Sequence, residues 1–205
     1  TDGSRPGTEQ LDQLGVLYDL LIEQAAGEPV ELVAAVDEGS RQQLRHPVHA
    51  QHVHVGRGVA QAESAARRLR GEPIERIFAS PLLRALRTAE IIATALGMAI
   101  ETDQRLSDIR SGFDGRPVAD YLAAIAADPV EARVEGGESL RDYQHRVGGF
   151  LRWLGTRPFA CVLIVAHEET LRILEAHCTG QNLSALAGKA FANAVPYDFQ
   201  SPSGN

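Results

Sequence analysis

Apolar residues recur at helical spacing in the first part of the chain, at Leu11, Leu14, Leu17, Tyr18, Leu21 and Ile22. This spacing predicts a helix over residues 9–26, and Gly27 and Pro29 stop it. A mostly apolar run over residues 30–36 follows and ends in Asp37, Glu38 and Gly39. It predicts a buried strand that delivers its last residues to a site. Further short strands are expected at residues 74–80, 99–103 and 161–167, the last reading "CVLIVAH". Helical spacing is expected at 58–71, 81–97, 117–127, 136–155 and 168–178. Residues 41–56 show no sustained period and read as a long loop.

Strands that alternate with helices predict an α/β fold of three layers, a largely parallel central sheet flanked by helices. One domain over residues 1–205 is expected, with the 9–26 helix as an extra N-terminal element. That helix could cover a sheet edge or form a homodimer contact. Ligands of such folds bind at the carboxyl ends of strands. The positions to inspect are therefore Ala34–Asp37, Ser80–Arg84 and Ala166–Glu169.

Composition narrows the function classes. A net charge of −7 argues against a nucleic-acid partner. No run is long and apolar enough to span a membrane. The opening residues "TDGSRPGTEQ" lack a signal-peptide pattern, and a cytoplasmic location fits these features. Cys161 and Cys178 read as core thiols and not as a disulfide. His46, His49, His52 and His54 crowd into nine residues, but without cysteine ligands or a preformed frame they read as a solvated loop and not as a metal centre. A metal shared by His167, Asp37 and Glu168 is the weaker alternative. No metal and no cofactor are expected.

Three stretches carry chemistry. "FASPLLRALRTAEII" turns from strand to helix and places Arg84 one turn in. "VLIVAHEETLRIL" ends its strand on His167, and "GGESLRDYQHRVGGFL" opens a helix with Glu138 and Ser139. With "GVAQAE" and "FANAVPYDF", which carries Asn193, these resemble the histidine phosphatase superfamily, also called phosphoglycerate mutase-like, over roughly residues 30–200. The resemblance implies the phosphoglycerate mutase-like fold. It also implies a first strand ending in arginine, histidine and glycine, whose histidine carries the phosphoryl group. Two arginines and a second histidine would hold the phosphate, and an acid would protonate the leaving group.

The chain departs from that pattern. Counted back from Gly58, the arginine, nucleophile and glycine positions fall on Ala34, Ala35 and Val36. Arg84 matches the family's phosphate-gripping arginine, whose planar fork suits two oxygens. His167 matches the second histidine. Asp108 lies near the acid, and Arg45 matches a loop arginine better than a displaced motif at "LRHP". His167 and Asp108 are the residual catalytic candidates, and Arg84, His167, Asp37 and Glu168 are the candidates for ligand contact. Asp37, Glu38, Glu168 and Glu169 add negative charge unsuited to a phosphate pocket, unless they serve only as first-turn acids.

The reading this favours is a histidine-phosphatase-fold protein without phosphohistidine catalysis, a binding or regulatory pseudoenzyme for a small-molecule or anionic ligand. A second reading is an enzyme in which His167, Arg84 and Asp37 do other hydrolase or non-phosphate chemistry. A third is a phosphatase inactivated by engineering at Ala34 and Ala35.

Overall fold

The computed structural model of the chain describes residues 31–36, 48–113, 116, 118–128, 130–181 and 190–200. The elements run β1 (Glu31–Val36), α1 (Val48–Arg68), β2 (Arg76–Ala79), α2 (Leu83–Leu96), β3 (Ile100–Thr102), a 3-10 turn (Gln104–Leu106), α3 (Val118–Ile125), α4 (Leu140–Leu154), β4 (Cys161–Ala166), α5 (Glu168–Thr179) and β5 (Tyr197–Gln200). The strands form one sheet in the order β3-β2-β4-β1-β5. The first four strands are mutually parallel, and β5 closes the β1 edge antiparallel. The expected α/β architecture is therefore present.

Both faces of the sheet are covered. Ile77, Ala79, Leu163 and Val165 pack with Ala65 and Ala66 of α1, with Leu69 just beyond it, and with Ala89, Ile92 and Ala93 of α2. On the other face, Phe78, Val162, Ile164 and Ala166 meet Tyr143, Val147, Phe150 and Leu154 of α4 and Leu171 and Leu174 of α5. β4 is central, so all six of its residues are buried and its sequence shows no alternation. The small residues of α1 and α2 leave little side chain between these helices and the sheet. The aromatic residues sit on the opposite face, where Phe78 meets Phe150 and Trp153 edge-on at 5.5 and 5.6 Å.

Local signals set the element ends. Gly97 adopts φ 70° beyond α2, and its N–H and that of Met98 return to the last-turn carbonyls. Ser139 caps α4 in a reciprocal box with Asp142. The helix therefore starts at Leu140, and Glu138 lies just ahead of it.

Two sequence expectations need correction. Residues 48–56 belong to α1 and not to a loop. No helix breaker stands between Val48 and Val55, and docking of the 62–69 face lets the helix extend backward past its polar, aperiodic start. β5 was not expected, because four residues with one buried side chain carry almost no periodic signal. Cys161 and Cys178 are both free thiols. Burial, with Glu175 nearby, pushes the Cys178 thiol up to about 12. Among the described residues no helix is long and apolar enough to cross a membrane. The predicted 9–26 helix, Asp37, Glu38, Arg45 and His46 lie outside the described residues.

Candidate functional site

The site forms where β2 and β4 end side by side. Ala79 pairs with Val165 across the ladder, and the Ser80 N–H extends it by donating to Val165 O at 2.9 Å. The chain then turns into α2. Leu82 occupies the cap position and offers no side-chain oxygen, so Ser80 Oγ accepts the Leu82 N–H at 3.2 Å instead. Arg84 is the second residue of α2. One residue beyond β4, His167 occupies the cap position of α5 and is fully buried. β1 lies on the other side of β4 and keeps step with it, with Ala35 opposite Val165 and Val36 opposite Ala166.

Arg84, His167 and Asp108 converge, although they are far apart in sequence. Arg84 Nη2 donates to Asp108 Oδ2 at 2.5 Å and lies 3.2 Å from His167 Nδ1. His167 Nε2 lies 2.8 Å from Ser80 Oγ. A guanidinium can only donate, so in the neutral ring Nδ1 is the acceptor and Nε2 carries the proton. The imidazole then donates to Ser80 Oγ. Asp108 Oδ1 accepts the Ile109 N–H at 3.0 Å, which orients the carboxylate from its own backbone.

Ser80, His167 and Asp108 have the outline of a nucleophile, a base and an orienting acid, but the donors run the wrong way. His167 Nδ1 is 3.6 Å from Asp108 Oδ2, with the Arg84 nitrogen bonded to both. Nε2 has no lone pair free to take a proton from Ser80, and Ser80 is fully buried. Ser80 therefore holds the ring and is not activated by it.

The remaining predicted residues divide. Glu168 accepts from Arg172 Nη2 at 2.7 Å one turn along α5, and Glu169 pairs with the same guanidinium. Both stand in the first turn of α5, beside His167, where acids also suit the helix N-terminus. Ala35 is buried. Ala34 and Val36 are in register with Ile164 and Ala166. Asp37 lies outside the described residues. His49, His52 and His54 fall on α1, and among the described residues no three His, Cys, Asp or Glu side chains group as metal ligands.

The structure adds partners that sequence reading did not assign. Glu138 is buried, and its two oxygens receive Arg146 Nε at 2.8 Å and Nη2 at 2.7 Å. Arg146 also donates to the carbonyls of Arg105 at 2.8 Å, Ser107 at 2.9 Å and Asp108 at 3.3 Å. Tyr143 lies under that guanidinium, and its hydroxyl bonds Thr170 Oγ1 at 2.7 Å. Burial, with Asp108 nearby, holds the Tyr143 hydroxyl well above the usual phenol range. No local spacing signals this ion pair, because Glu138 precedes the cap of α4 and helical pairs form only three or four residues apart. Separately, an open groove of about 520 Å³ lies between α1 and α2, lined by Glu63, Arg67, Arg70 and Glu90 among others.

The family model for the histidine phosphatase superfamily (branch 1) matches residues 56–197. The chain belongs to this superfamily. A curated relative, Phosphoserine phosphatase 1 of Hydrogenobacter thermophilus, is 31% identical over 137 residues, covering 62% of this chain and 65% of that protein. The chain spans about two thirds of the length of the curated relatives it matches. Among solved structures, the alpha-ribazole phosphatase from Shigella flexneri superposes with a TM-score of 0.68 at 19% identity, over 84% of this chain and 94% of that one. Bacillus stearothermophilus YhfR gives 0.69 at 20% identity, over 86% and 93%. Those two likenesses concern the fold. Within this superfamily member, Arg84, Asp108 and His167 fall inside the matched segment, and β1 lies ahead of it.

Proposed function

We propose that this superfamily member binds a phosphate-bearing or similar small anionic ligand between Arg84 and His167 and forms no phosphohistidine. The observation that carries the reading is the register of β1 on β4. Ala35 pairs with Val165, two residues before His167. Two steps along the strand and one across put their α-carbons about 8 Å apart. Side chains at that separation can hold one phosphate between them, and residues 34–36 supply neither arginine nor histidine. Arg84 offers a planar fork for oxygen, and the guanidinium and the strand-end histidine are already ordered by Asp108 and Ser80. A covalent phosphoryl intermediate needs a nucleophile, which alanine does not provide.

A second reading, a hydrolase acting without that intermediate, is favoured by the relatives named as phosphatases and by the convergence of Arg84, Asp108 and His167. Turnover of p-nitrophenyl phosphate, measured beside calorimetric titration with inorganic phosphate, separates the two. The binding reading expects phosphate binding that Arg84→Ala abolishes, with negligible turnover at acidic and neutral pH. Robust turnover lost in Arg84→Ala or His167→Ala would overturn it in favour of the hydrolase.

A further inference from the structure

We infer that Arg146 is a positioning residue of this site: it holds Asp108 against Arg84 and His167, so that Asp108 stands as a built-in counter-anion which an incoming phosphate must displace. The inference rests on the anion-binding reading and states how that site is set.

Arg146 lies on α4 and bonds the backbone carbonyl of Asp108, the residue whose carboxylate meets Arg84. Its fork is nevertheless fully committed. Nε and Nη2 grip both oxygens of Glu138, whose side chain is 2% exposed. Nη1 donates to the carbonyls of Gln104, Arg105 and Ser107, and Nη2 also reaches that of Asp108. The guanidinium lies over the Tyr143 ring at 4.8 Å, and Tyr143 is tied to Thr170 in the first turn of α5. One planar group therefore ties the backbone from residue 104 to residue 108 to α4, and Tyr143 links α4 in turn to the helix that follows His167. With the Asp108 carbonyl held by Arg146 and its Oδ1 held by Ile109 N–H, Oδ2 is left directed at Arg84 Nη2.

That nitrogen also meets His167 Nδ1. A phosphate oxygen at the fork needs the same donor and finds a carboxylate there. Freeing Asp108 should thus strengthen anion binding, whereas loss of a purely structural clamp would weaken it. A lysine cannot substitute, because a single ammonium cannot hold both Glu138 oxygens and reach the carbonyls on the far side.

Removing Arg146 alone would strand the buried Glu138 charge and risk unfolding. The test therefore pairs Arg146→Met with Glu138→Gln, which leaves an acceptor for the Arg110 N–H now bonded to Glu138 Oε2. Arg146→Lys, which keeps the charge, is a second variant. Each is made in the parent chain and in Asp108→Asn, and folding is checked by thermal unfolding. Two readouts follow: the affinity for inorganic phosphate, and the His167 ring nitrogen resonances without ligand. Asp108→Asn and the paired variant should each raise phosphate affinity on the order of five- to tenfold, and their combination should add nothing further. The His167 Nδ1 resonance should move in the paired variant only where Asp108 is retained. Additive effects, lower affinity in both backgrounds, or a ring resonance indifferent to Arg146 would overturn the inference. If no variant binds phosphate while the ring resonance still responds, the anion-binding reading fails and the positioning role stands. If the paired variant does not fold, the Arg146→Lys comparison decides on the same criteria.

Discussion

The Glu138 N–H donates to Arg110 O at 2.6 Å, and Gly137, the residue before it, is pressed against the same backbone segment. A β-carbon on Gly137 would strike Arg110 O and lie 2.8 Å from Ser111 C and 2.9 Å from Gly112 N. These are backbone atoms with no rotamer to yield. The second glycine of "GGES" is thus required by the approach of residues 110–112, which continue directly from Asp108.

Gly137→Ala should therefore destabilise the fold by about 2 kcal/mol or more. Gly149→Ala provides the contrast. It lies within α4, and its nearest obstacle is Arg152 Nη2 at 3.9 Å. Alanine there should stabilise by roughly 0.5–1 kcal/mol through helix propensity. Urea unfolding of both variants checks the pair, and equal effects would refute the packing account.

The capping box on α4 leads to a second expectation. Ser139 is fully buried, its Oγ accepts the Asp142 N–H at 3.1 Å, and Asp142 Oδ2 accepts the Ser139 N–H at 3.1 Å. Ser139→Ala should cost about 1 kcal/mol. The change should appear as a lower urea midpoint at constant slope. Hydrogen bonding from Arg133 first, and then from the Ser139 N–H, holds the Asp142 carboxyl well below the usual range. Its contribution is therefore present at neutral pH and lost as pH falls through the acid range.

His177 should make stability pH-dependent in a defined window. Burial, with the Arg152 charge adding, pushes its imidazole down to about 4. The unfolded chain binds a proton below about 6.5, and the folded chain does not until about 4. Stability is thus undiminished above the upper value and falls as pH drops between the two. The loss should reach about 2 kcal/mol at pH 5. His177→Leu should remove this slope, and unfolding at pH 7 and pH 5 in both proteins measures it. An identical slope in the variant would show that other groups carry the acid sensitivity.

An arginine and a histidine built into β1 test whether residues 34 and 35 face the pocket of Arg84. Ala34→Arg with Ala35→His should raise phosphate affinity through Arg84, with a further gain from Val36→Gly and Glu168→Gly. Ala35 is fully buried, so the imidazole should cost about 1–3 kcal/mol of stability. Calorimetric titration of phosphate, repeated with Arg84→Ala, decides. A gain that survives the loss of Arg84 would mean that the new side chains do not face the same pocket.

Much of the architecture was already written in the periodicity of the chain. β1, β2 and β4, and the helices between and after them, are visible because burial on one face or both forces a hydrophobic period that needs no knowledge of neighbours. Ser80, Arg84 and His167 were placed at strand ends for the same reason, since a strand must stop before a helix can start. The helical start of α1 at Val48 and the edge strand β5 were not legible. Pairing with β1 holds β5, and neither segment shows a repeating pattern in its own short sequence. Ala34, Ala35 and Val36, where the resemblance would put the arginine, histidine and glycine, could be counted from Gly58, but only the parallel register with β4 puts Ala35 beside the strand that leads to His167. Tertiary structure alone also decided what the charged residues do. Asp108 reaches Arg84 across 24 residues, and Arg146 reaches the 104–108 carbonyls across about forty. Such contacts depend on where the chain returns in space, and a local pattern of apolar and polar positions carries no record of that.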